Sequence, residues 1–218
     1  EEICHAIPDS CRHVAIIADA QVRELWGEEL LKALHPAHAE VHLVEVEPGE
    51  ASKCRETKAR IEDELFGIGM GRRDLILAFG GGVTTDLAGF VAATYMRGMD
   101  FVSVPTTLLA MVDASVGGKT GINHGSGKNM IGAFHHPSAV FVDLELLGTL
   151  PDRERRCGLA EMVKHLLIAG TEDELAQLVS TISSIRDAKD SRLADAVARS
   201  IGIKAEVVAR DSLERGQR

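Results

Sequence analysis

Four short stretches of this chain carry residue types suited to chemistry. The first is GGGVTTD, Gly80 to Asp86, where three glycines lead from an apolar segment into a helical one. Glycine lets backbone N–H groups approach a pyrophosphate, and the dipole of the following helix favours the negative charge. The run is not the G-x-G-x-x-G fingerprint, so by itself it is equally a tight structural turn. Asp86 is either a pocket carboxylate or a charge interacting with the helix dipole. The second stretch is DASVGGKT, Asp113 to Thr120. It superficially resembles a P-loop, but that loop needs glycine where Asp113 stands and a buried strand before it. A carboxylate and a lysine flanking two glycines instead suit a polar pocket where Lys119 reaches a phosphate or carboxylate. A solvated loop is the plainer alternative. The third, GSGKN from Gly125 to Asn129, is another glycine-rich turn with a lysine, Lys128. The fourth is Glu161, Lys164 and His165. Helical spacing sets these three together opposite an apolar stripe, as an ordinary polar face with an i,i+3 Glu–Lys pair. Glu161 and His165 could also ligate one metal from adjacent turns, although two ligands do not complete a site.

The elements that must position these residues alternate between strand and helix. Val14–Ala18 and Asp74–Phe79 are short apolar runs expected as buried parallel strands, with Val41–Val46 and Phe101–Pro105 beside them. Helical stretches follow through Leu25 to Leu34, Cys54 to Ile68 and Thr84 to Thr94. Gly69–Gly71 closes the second of these, and Thr106–Val112 is a further helix opened by Pro105. Such alternation predicts an α/β fold, a Rossmann-like parallel sheet covered on both faces. Val140–Asp143 is expected as the last strand. From Pro151 the pattern turns helical to the end, in three helices, with Leu159, Met162, Val163 and Leu166 as one apolar stripe. A domain boundary is therefore placed near Thr149–Pro151, dividing a nucleotide-binding part, 1–150, from the start of a helical part, 151–218. A helical piece so short needs the first part, or further chain, to bury a stable core. The sequence shows no internal repeat and no low-complexity segment.

The totals set outer bounds. A chain of 218 residues, 45% hydrophobic and 26% charged, has the composition of a folded globular protein. Its formal net charge of −9 argues against broad nucleic-acid binding. A local basic pocket for a small phosphorylated ligand remains open, and Arg97, Lys119 and Lys128 could line it. Four scattered cysteines without C-x-x-C spacing fit free thiols in a reducing compartment. No apolar run is long enough to span a membrane and the start is no signal peptide, so a cytoplasmic location is expected. Most of the nine histidines, His135-His136 included, are expected at the surface or in turns. The chain opens without methionine and finishes abruptly at Arg218, which is read as a sequence cut at both ends.

Taken together, the segments resemble the 3-dehydroquinate synthases of the sugar-phosphate cyclase group. The resemblance runs from about Val14 to Arg218 and is carried by five strings in order. These are GGGVTTDLAGFVAA from Gly80, YMRG from Tyr95, VPTTLLAMVDASVGGKTGIN from Val104, GKNMIGAFHHP from Gly127 and GLAEMVKH from Gly158. It implies an enzyme converting the phosphorylated seven-carbon sugar acid DAHP to 3-dehydroquinate and phosphate, in the shikimate route to aromatic amino acids. NAD would act there as a catalytic hydride store, oxidising a substrate hydroxyl so that phosphate can be eliminated. Re-reduction and an intramolecular aldol closure follow. A divalent metal, zinc or cobalt, would supply Lewis-acid polarisation.

Position by position, the resemblance assigns Asp19, Glu50 and Lys53 to the adenosine end of NAD. Gly81, Gly82, Val83 and Asp86 fall to the pyrophosphate loop, and Thr106, Thr107, Leu146 and Thr149 to further NAD contacts. Lys119 and Lys128 line the cofactor and substrate pocket. Asp113, Asn129, Lys164, Lys204 and Arg218 are substrate-side polar residues, and Arg97 reaches a neighbouring subunit's substrate phosphate, which implies a homodimer. Glu161 is the carboxylate ligand of the metal. Two departures stand out. The glycine loop ends TTD where the family form is IGD, so Thr85 puts a side chain in place of glycine, a change expected to be tolerated. The family's asparagine and two histidine ligands are expected beyond Arg218, so these 218 residues are expected to bind NAD weakly and to turn over nothing. Other sugar-phosphate cyclases and a metal-dependent polyol dehydrogenase are the alternative readings, with a non-catalytic NAD-binding module as a third. The paired lysine turns favour a phosphorylated acidic substrate, and the intact GGKTGIN string favours the shikimate enzyme.

Overall fold

The computed structural model describes residues 2–35, 37–182 and 190–216. After a short helix α1 (Glu2–His5), the chain alternates through β1 (His13–Asp19), α2 (Ala20–Leu34), β2 (Glu40–Val46), α3 (Arg55–Ile68), β3 (Leu75–Gly80), α4 (Gly82–Thr94) and β4 (Phe101–Pro105). Two further strands, β5 (Lys119–His124) and β6 (Gly127–Phe134), precede the two-residue β7 (Ala139–Val140). Strands pair in the order β2-β1-β3-β4-β7, every pair parallel. The expected Rossmann-like α/β sheet is present.

Strand alternation explains why the central strands are apolar throughout. Val14, Ile16 and Ala18 of β1 enter one core with Leu30, Leu34 and Leu77, while Ala15 and Ile17 enter the opposite core with Ile61, Leu65 and Leu87. A strand covered on both faces has no solvated side to carry polar residues. Helix α3 stops at Gly69, whose φ of 83° is the left-handed conformation that glycine adopts without strain.

Four boundaries differ from the sequence reading. Helix α4 begins at Gly82, so the last glycine of the run lies inside it. The helix expected over Thr106–Val112 instead widens over Ala110–Ala114, where Ser115 N–H donates to Ala110 O at 3.1 Å. The strand expected at Val140–Asp143 is only Ala139–Val140. Beyond it Asp143 turns the chain, accepting from the Glu145 N–H at 2.9 Å and capping a 3-10 turn over Leu144–Thr149. The largest miss is the antiparallel hairpin β5–β6, expected only as glycine-rich turns. Gly121 and Gly132 face each other across it, and a Cβ on Gly132 would come 2.0 Å from Thr120 O. Side chains that close cannot be accommodated, so the hairpin lacks the alternating apolar pattern that marks a strand. It covers the outer side of α4, and that explains why α4 is buried almost all round.

Three helices follow: α5 (Asp152–Ala169), α6 (Glu172–Thr181) and α7 (Ser191–Arg210). Helix α5 starts after Pro151 with Asp152 and Glu154 in its first turn, where the dipole favours them. A capping box between Thr171 and Glu174 opens α6. The chain is not helical to its end, because after Arg210 the Asp211 carboxylate folds residues 211–216 into turns by accepting from Arg215 and Gly216 N–H. Met162, Leu166, Leu178, Leu193, Val197 and Ile203 join the same core as Val14, Leu77 and Val104. Among the described residues no helix is long and apolar enough to cross a membrane. The four cysteines are free.

Candidate active site

Strand β3 delivers Gly80 to the carboxyl edge of the sheet, and Gly81 becomes the residue preceding α4. No side chain caps this helix start, which leaves its first N–H groups without a side-chain acceptor. The loop is tied down from both sides. Thr106 N–H donates to Gly80 O at 2.9 Å, and the Thr84 hydroxyl reaches Asp19 Oδ2 at 3.4 Å. A Cβ on Gly80 would meet Thr84 Oγ1 at 2.6 Å, and one on Gly81 would meet Thr107 Cγ2 at 3.1 Å. An uncapped start on a helix of this length fits the phosphates of a dinucleotide. Thr85, the departure from the family form, is buried and donates to Gly82 O at 3.2 Å, so it is absorbed inside the helix packing.

Beside the loop sits a lysine buried to 4% exposure, Lys53, whose Nζ lies 2.5 Å from both Asp86 Oδ2 and Asn129 Oδ1. Three elements meet here: the turn before α3, the second turn of α4 and strand β6. The left-handed backbone at Asn129, φ 57°, brings that residue in, and its N–H donates to Asn123 Oδ1 at 2.9 Å. Asn123 also donates to Glu50 Oε1 at 2.8 Å, and Lys128 pairs with the same carboxylate at 3.3 Å. The Asn123 hydrogen bond, followed by the Lys128 charge, lowers the Glu50 pKa. Asp86 behaves oppositely. Burial pushes its carboxyl up to about 6, outweighing the adjacent Lys53 charge, and Asp113 and Glu50 raise it further. Asn123 was assigned no role from sequence, although it closes the GGKTGIN string.

The second group forms where α5 and α7 meet the widened turn at 110–114. Asp113 pairs with Lys204 of α7, and Glu161 pairs with Lys164. His165 corrects the sequence reading. It does not share a solvated polar face with Glu161 and Lys164 but is 3% exposed, with Nδ1 2.8 Å from Ser200 Oγ of α7. Its Nε2 makes no hydrogen bond and lies 3.4 Å from Glu161 Oε1, the oxygen that Lys164 engages. Burial lowers the His165 pKa, against the raising influence of Glu161. Donor atoms of Asp113, Glu161 and His165 all lie within 4.8 Å of one another. A buried imidazole nitrogen without a hydrogen bond, beside two carboxylates, fits a divalent cation. The pair Glu161 and His165, read from helical spacing as possible ligands of one metal, is thus joined by Asp113. The signal missed was Ser200, a polar residue on the buried face of α7 opposite His165.

Other candidates are more dispersed. Lys119 is half exposed and bonds Glu214 Oε1 at 2.6 Å. Arg97 is exposed, in a left-handed backbone of φ 64°, and makes no hydrogen bond or ion pair among the described residues. Leu146 is a core residue, and Thr149 accepts from Trp26 Nε1 at 3.0 Å. Val83 occupies the first turn of α4. Arg218 lies outside the described residues.

A parallel sheet with an uncapped glycine loop at its carboxyl edge, faced by a carboxylate cluster from a helical layer, defines a Rossmann-like α/β protein of sugar-phosphate cyclase architecture. Residues 43–157 match the family model for the 3-dehydroquinate synthase N-terminal region, and residues 158–218 match that for its C-terminal region. The chain belongs to the 3-dehydroquinate synthase family. It is 48% identical over 207 residues to 3-dehydroquinate synthase of Caulobacter vibrioides and 47% identical over 207 residues to that of Pelotomaculum thermopropionicum, in each case 95% of this chain and 56% of the relative. The chain thus spans little more than half the length of these relatives. Among solved structures, 2-epi-5-epi-valiolone synthase from Streptomyces hygroscopicus, with NAD+ and Zn2+ bound, superposes with a TM-score of 0.91 at 32% identity, covering 99% of this chain and 59% of that one. A 2-deoxy-scyllo-inosose synthase complexed with carbaglucose-6-phosphate, NAD+ and Co2+ gives 0.89 at 28% identity, covering 100% and 61%. The NADH-dependent butanol dehydrogenase A of Thermotoga maritima, at 14% identity and a TM-score of 0.74 over 95% of this chain and 60% of that one, shares the fold alone.

Proposed function

We propose that this chain carries the nucleotide-binding part of a 3-dehydroquinate synthase, taking NAD at the Gly80–Asp86 loop and a divalent metal, zinc or cobalt, at Glu161. The observation that carries the reading is the meeting of two clusters, one around Lys53 and Asp86, the other around Asp113 and Glu161. They are close enough for Asp113 to perturb Asp86. NAD, when bound, supplies a reversible hydride acceptor and the metal supplies Lewis acidity. The protein's own work is positioning and charge placement. The first N–H groups of α4 receive the pyrophosphate, and Lys53, locked by Asp86 and Asn129, holds the rim of that pocket in one geometry. On the substrate side Lys164 and Lys204 are already paired with Glu161 and Asp113. An acidic phosphorylated substrate can share these cations, and Lys204, already largely buried, needs little further desolvation. Asp113, with a lysine against it, is placed to hold or pass a proton at its carboxylate oxygen.

DAHP is the proposed substrate, and 3-dehydroquinate and phosphate the products. Identities of 43–48% to curated 3-dehydroquinate synthases over nearly all of this chain support that choice. The close superposition on two other sugar-phosphate cyclases supports a second reading, in which a sugar phosphate without the acid group is cyclised. Residues 1–150 and 151–218 are proposed as the two parts flanking the cleft, supported by the change from alternating elements to helices at Pro151. A homodimer is proposed as well, and the unpartnered Arg97 supports it. The location is proposed as cytoplasmic.

NAD titration into the 218-residue chain, followed by isothermal calorimetry, tests the cofactor site. Saturable binding is expected, and its loss in Gly81→Val, where the added side chain would run into Thr107, is the matching control. No saturable binding by the unaltered chain would sink the reading. Binding of DAHP and of sedoheptulose 7-phosphate to the NAD-loaded chain tests the substrate, with DAHP expected to bind more tightly. The reverse order favours the second reading. Phosphate release from DAHP is expected to be absent, since the metal set implied by the resemblance includes two histidines besides Glu161. Turnover by these 218 residues would overturn that ligand assignment.

A further inference from the structure

At the opposite, amino-terminal edge of the sheet, away from the glycine loop, two histidines lie in contact. His13 opens β1 and His42 is the third residue of β2. The parallel register sets His13 level with Glu40 and Ala15 level with His42, so His13, Glu40 and His42 project from one face. His13 Nδ1 and His42 Nε2 are 3.1 Å apart. Glu40 closes the group, with Oε2 3.8 Å from His13 Nδ1 and Oε1 3.8 Å from His42 Nε2. The histidine side chains are about one-fifth exposed, at 18% and 21%, which leaves a path for an ion from solvent.

We infer that His13, His42 and Glu40 form a second metal site, which takes a divalent transition ion of the zinc or copper type between β1 and β2. Two imidazole nitrogens and a carboxylate oxygen are the donor set such ions prefer. A tetrahedral ion with bonds of about 2.0–2.1 Å holds neighbouring donors roughly 3.3 Å apart. The observed nitrogen separation needs only a few tenths of an ångström of adjustment, and the exposed Glu40 side chain has the freedom to close the remainder. Both histidines stand on paired strands, so the nitrogens are held in place before the ion arrives. Asp74 fixes the backbone below them, accepting from Arg12 N–H at 2.8 Å and His13 N–H at 3.1 Å. Its carboxylate adds negative potential beside the site while its oxygens stay engaged. None of the three proposed ligands touches the glycine loop or the Glu161 cluster, so the site is independent of the proposed catalysis. Its bound ion would pin β2, an edge strand, to the centre of the sheet.

The test is equilibrium dialysis against zinc, using the 218-residue chain carrying Glu161→Gln so that the acidic cluster is silenced. One equivalent of zinc is expected in that chain, and none after adding His13→Gln and His42→Gln. The single Glu40→Gln variant alters an exposed side chain and leaves the fold intact by circular dichroism. It is expected to weaken zinc about tenfold, the scale on which loss of metal-site partners acts. Copper(II) loaded into the same site is expected to show coupling to two imidazole nitrogens in its paramagnetic resonance spectrum. Equal zinc uptake with and without the histidines would overturn the proposal. So would a copper spectrum lacking nitrogen coupling, which would leave the pair as a hydrogen bond between two imidazoles.

Discussion

Lys53 shows at the residue scale how the proposed cofactor pocket is built from a costly group. An ammonium at 4% exposure persists because Asp86 and Asn129 both accept from it. Removing one partner of a buried pair leaves an uncompensated charge, which costs about 3–5 kcal/mol. Here Asp86 can take up a proton instead of staying charged, and its pKa is already raised, so Lys53→Met is expected to lose less, about 1–2 kcal/mol at neutral pH. The sign of the pH dependence follows from Asp86. Its folded pKa, about 6, lies above the ordinary value of 3.8, so the folded state holds the proton more tightly. This group thus lowers stability as pH rises through the interval between the two values. Without Lys53 the folded pKa climbs further and the same loss extends to higher pH. Urea unfolding should find the variant close to wild type where Asp86 is protonated in both states, and well below it at neutral pH. An equal deficit at both ends would mean that Lys53 acts by packing and not by charge. At this scale the sequence was informative chiefly through resemblance. Lys53, Asp86 and Asn129 were each named from it, but no spacing links positions this far apart, so their mutual contact was not legible. His165 was misplaced for a related reason. Helical spacing fixes which residues share a face, but not whether another helix covers that face.

Among the elements, α5 carries the site by lying unusually close to the turn that holds Asp113. The contact is made at Gly158, where a Cβ would come 2.5 Å from Leu108 Cγ and 2.7 Å from the Leu109 backbone nitrogen. Backbone cannot move aside as a flexible side chain does, so Gly158→Ala must push α5 outward. Overpacking of this kind costs about 1–3 kcal/mol, more than the gain in helix propensity of about 1 kcal/mol. Separation of Glu161 from Asp113 is the expected consequence. Thermal melting should show the lower stability, and cobalt binding to the acidic cluster should weaken in the same variant. A melt at or above the wild-type temperature would show that the two elements slide freely. The sequence revealed α5 and its apolar stripe readily, because 3.6-residue periodicity runs its length. It did not reveal the β5–β6 hairpin, because that pair is held by glycine-to-glycine backbone approach at Gly121 and Gly132 and not by alternating side chains. The short β7 was overextended for the opposite reason. Apolar Phe141 and Val142 continue the strand-like pattern, and only the cap at Asp143 ends it.

In the whole molecule, one apolar core runs from the sheet into the helical layer. Met162 of α5 is fully buried in the same cluster as Leu108, Met111 and Leu146, which continues through Val104 and Leu77 to Leu30 and Leu34 under α2. The sequence reading expected helices 151–218 to be unable to support a core alone, and Met162, Leu166, Val197 and Ile203 in this shared cluster agree with it. Continuity of this kind predicts that sheet and helices unfold as one cooperative unit. Trp26, the single tryptophan, provides a local probe, since it lies on α2 and bonds Thr149 at the foot of the helical layer. Met162→Ala removes buried volume on α5, far along the chain from Trp26, and should cost about 2–5 kcal/mol. Tryptophan fluorescence reports the sheet side, while far-ultraviolet circular dichroism weights all the helices. With a shared core the two signals must move together to a lower denaturant midpoint, with a single transition in each. If the helical layer were an independent unit, the mutation would lower only the circular dichroism transition and leave the fluorescence midpoint unchanged. Coincident transitions are the expected result, because no apolar boundary separates Met162 from the strands that carry the glycine loop.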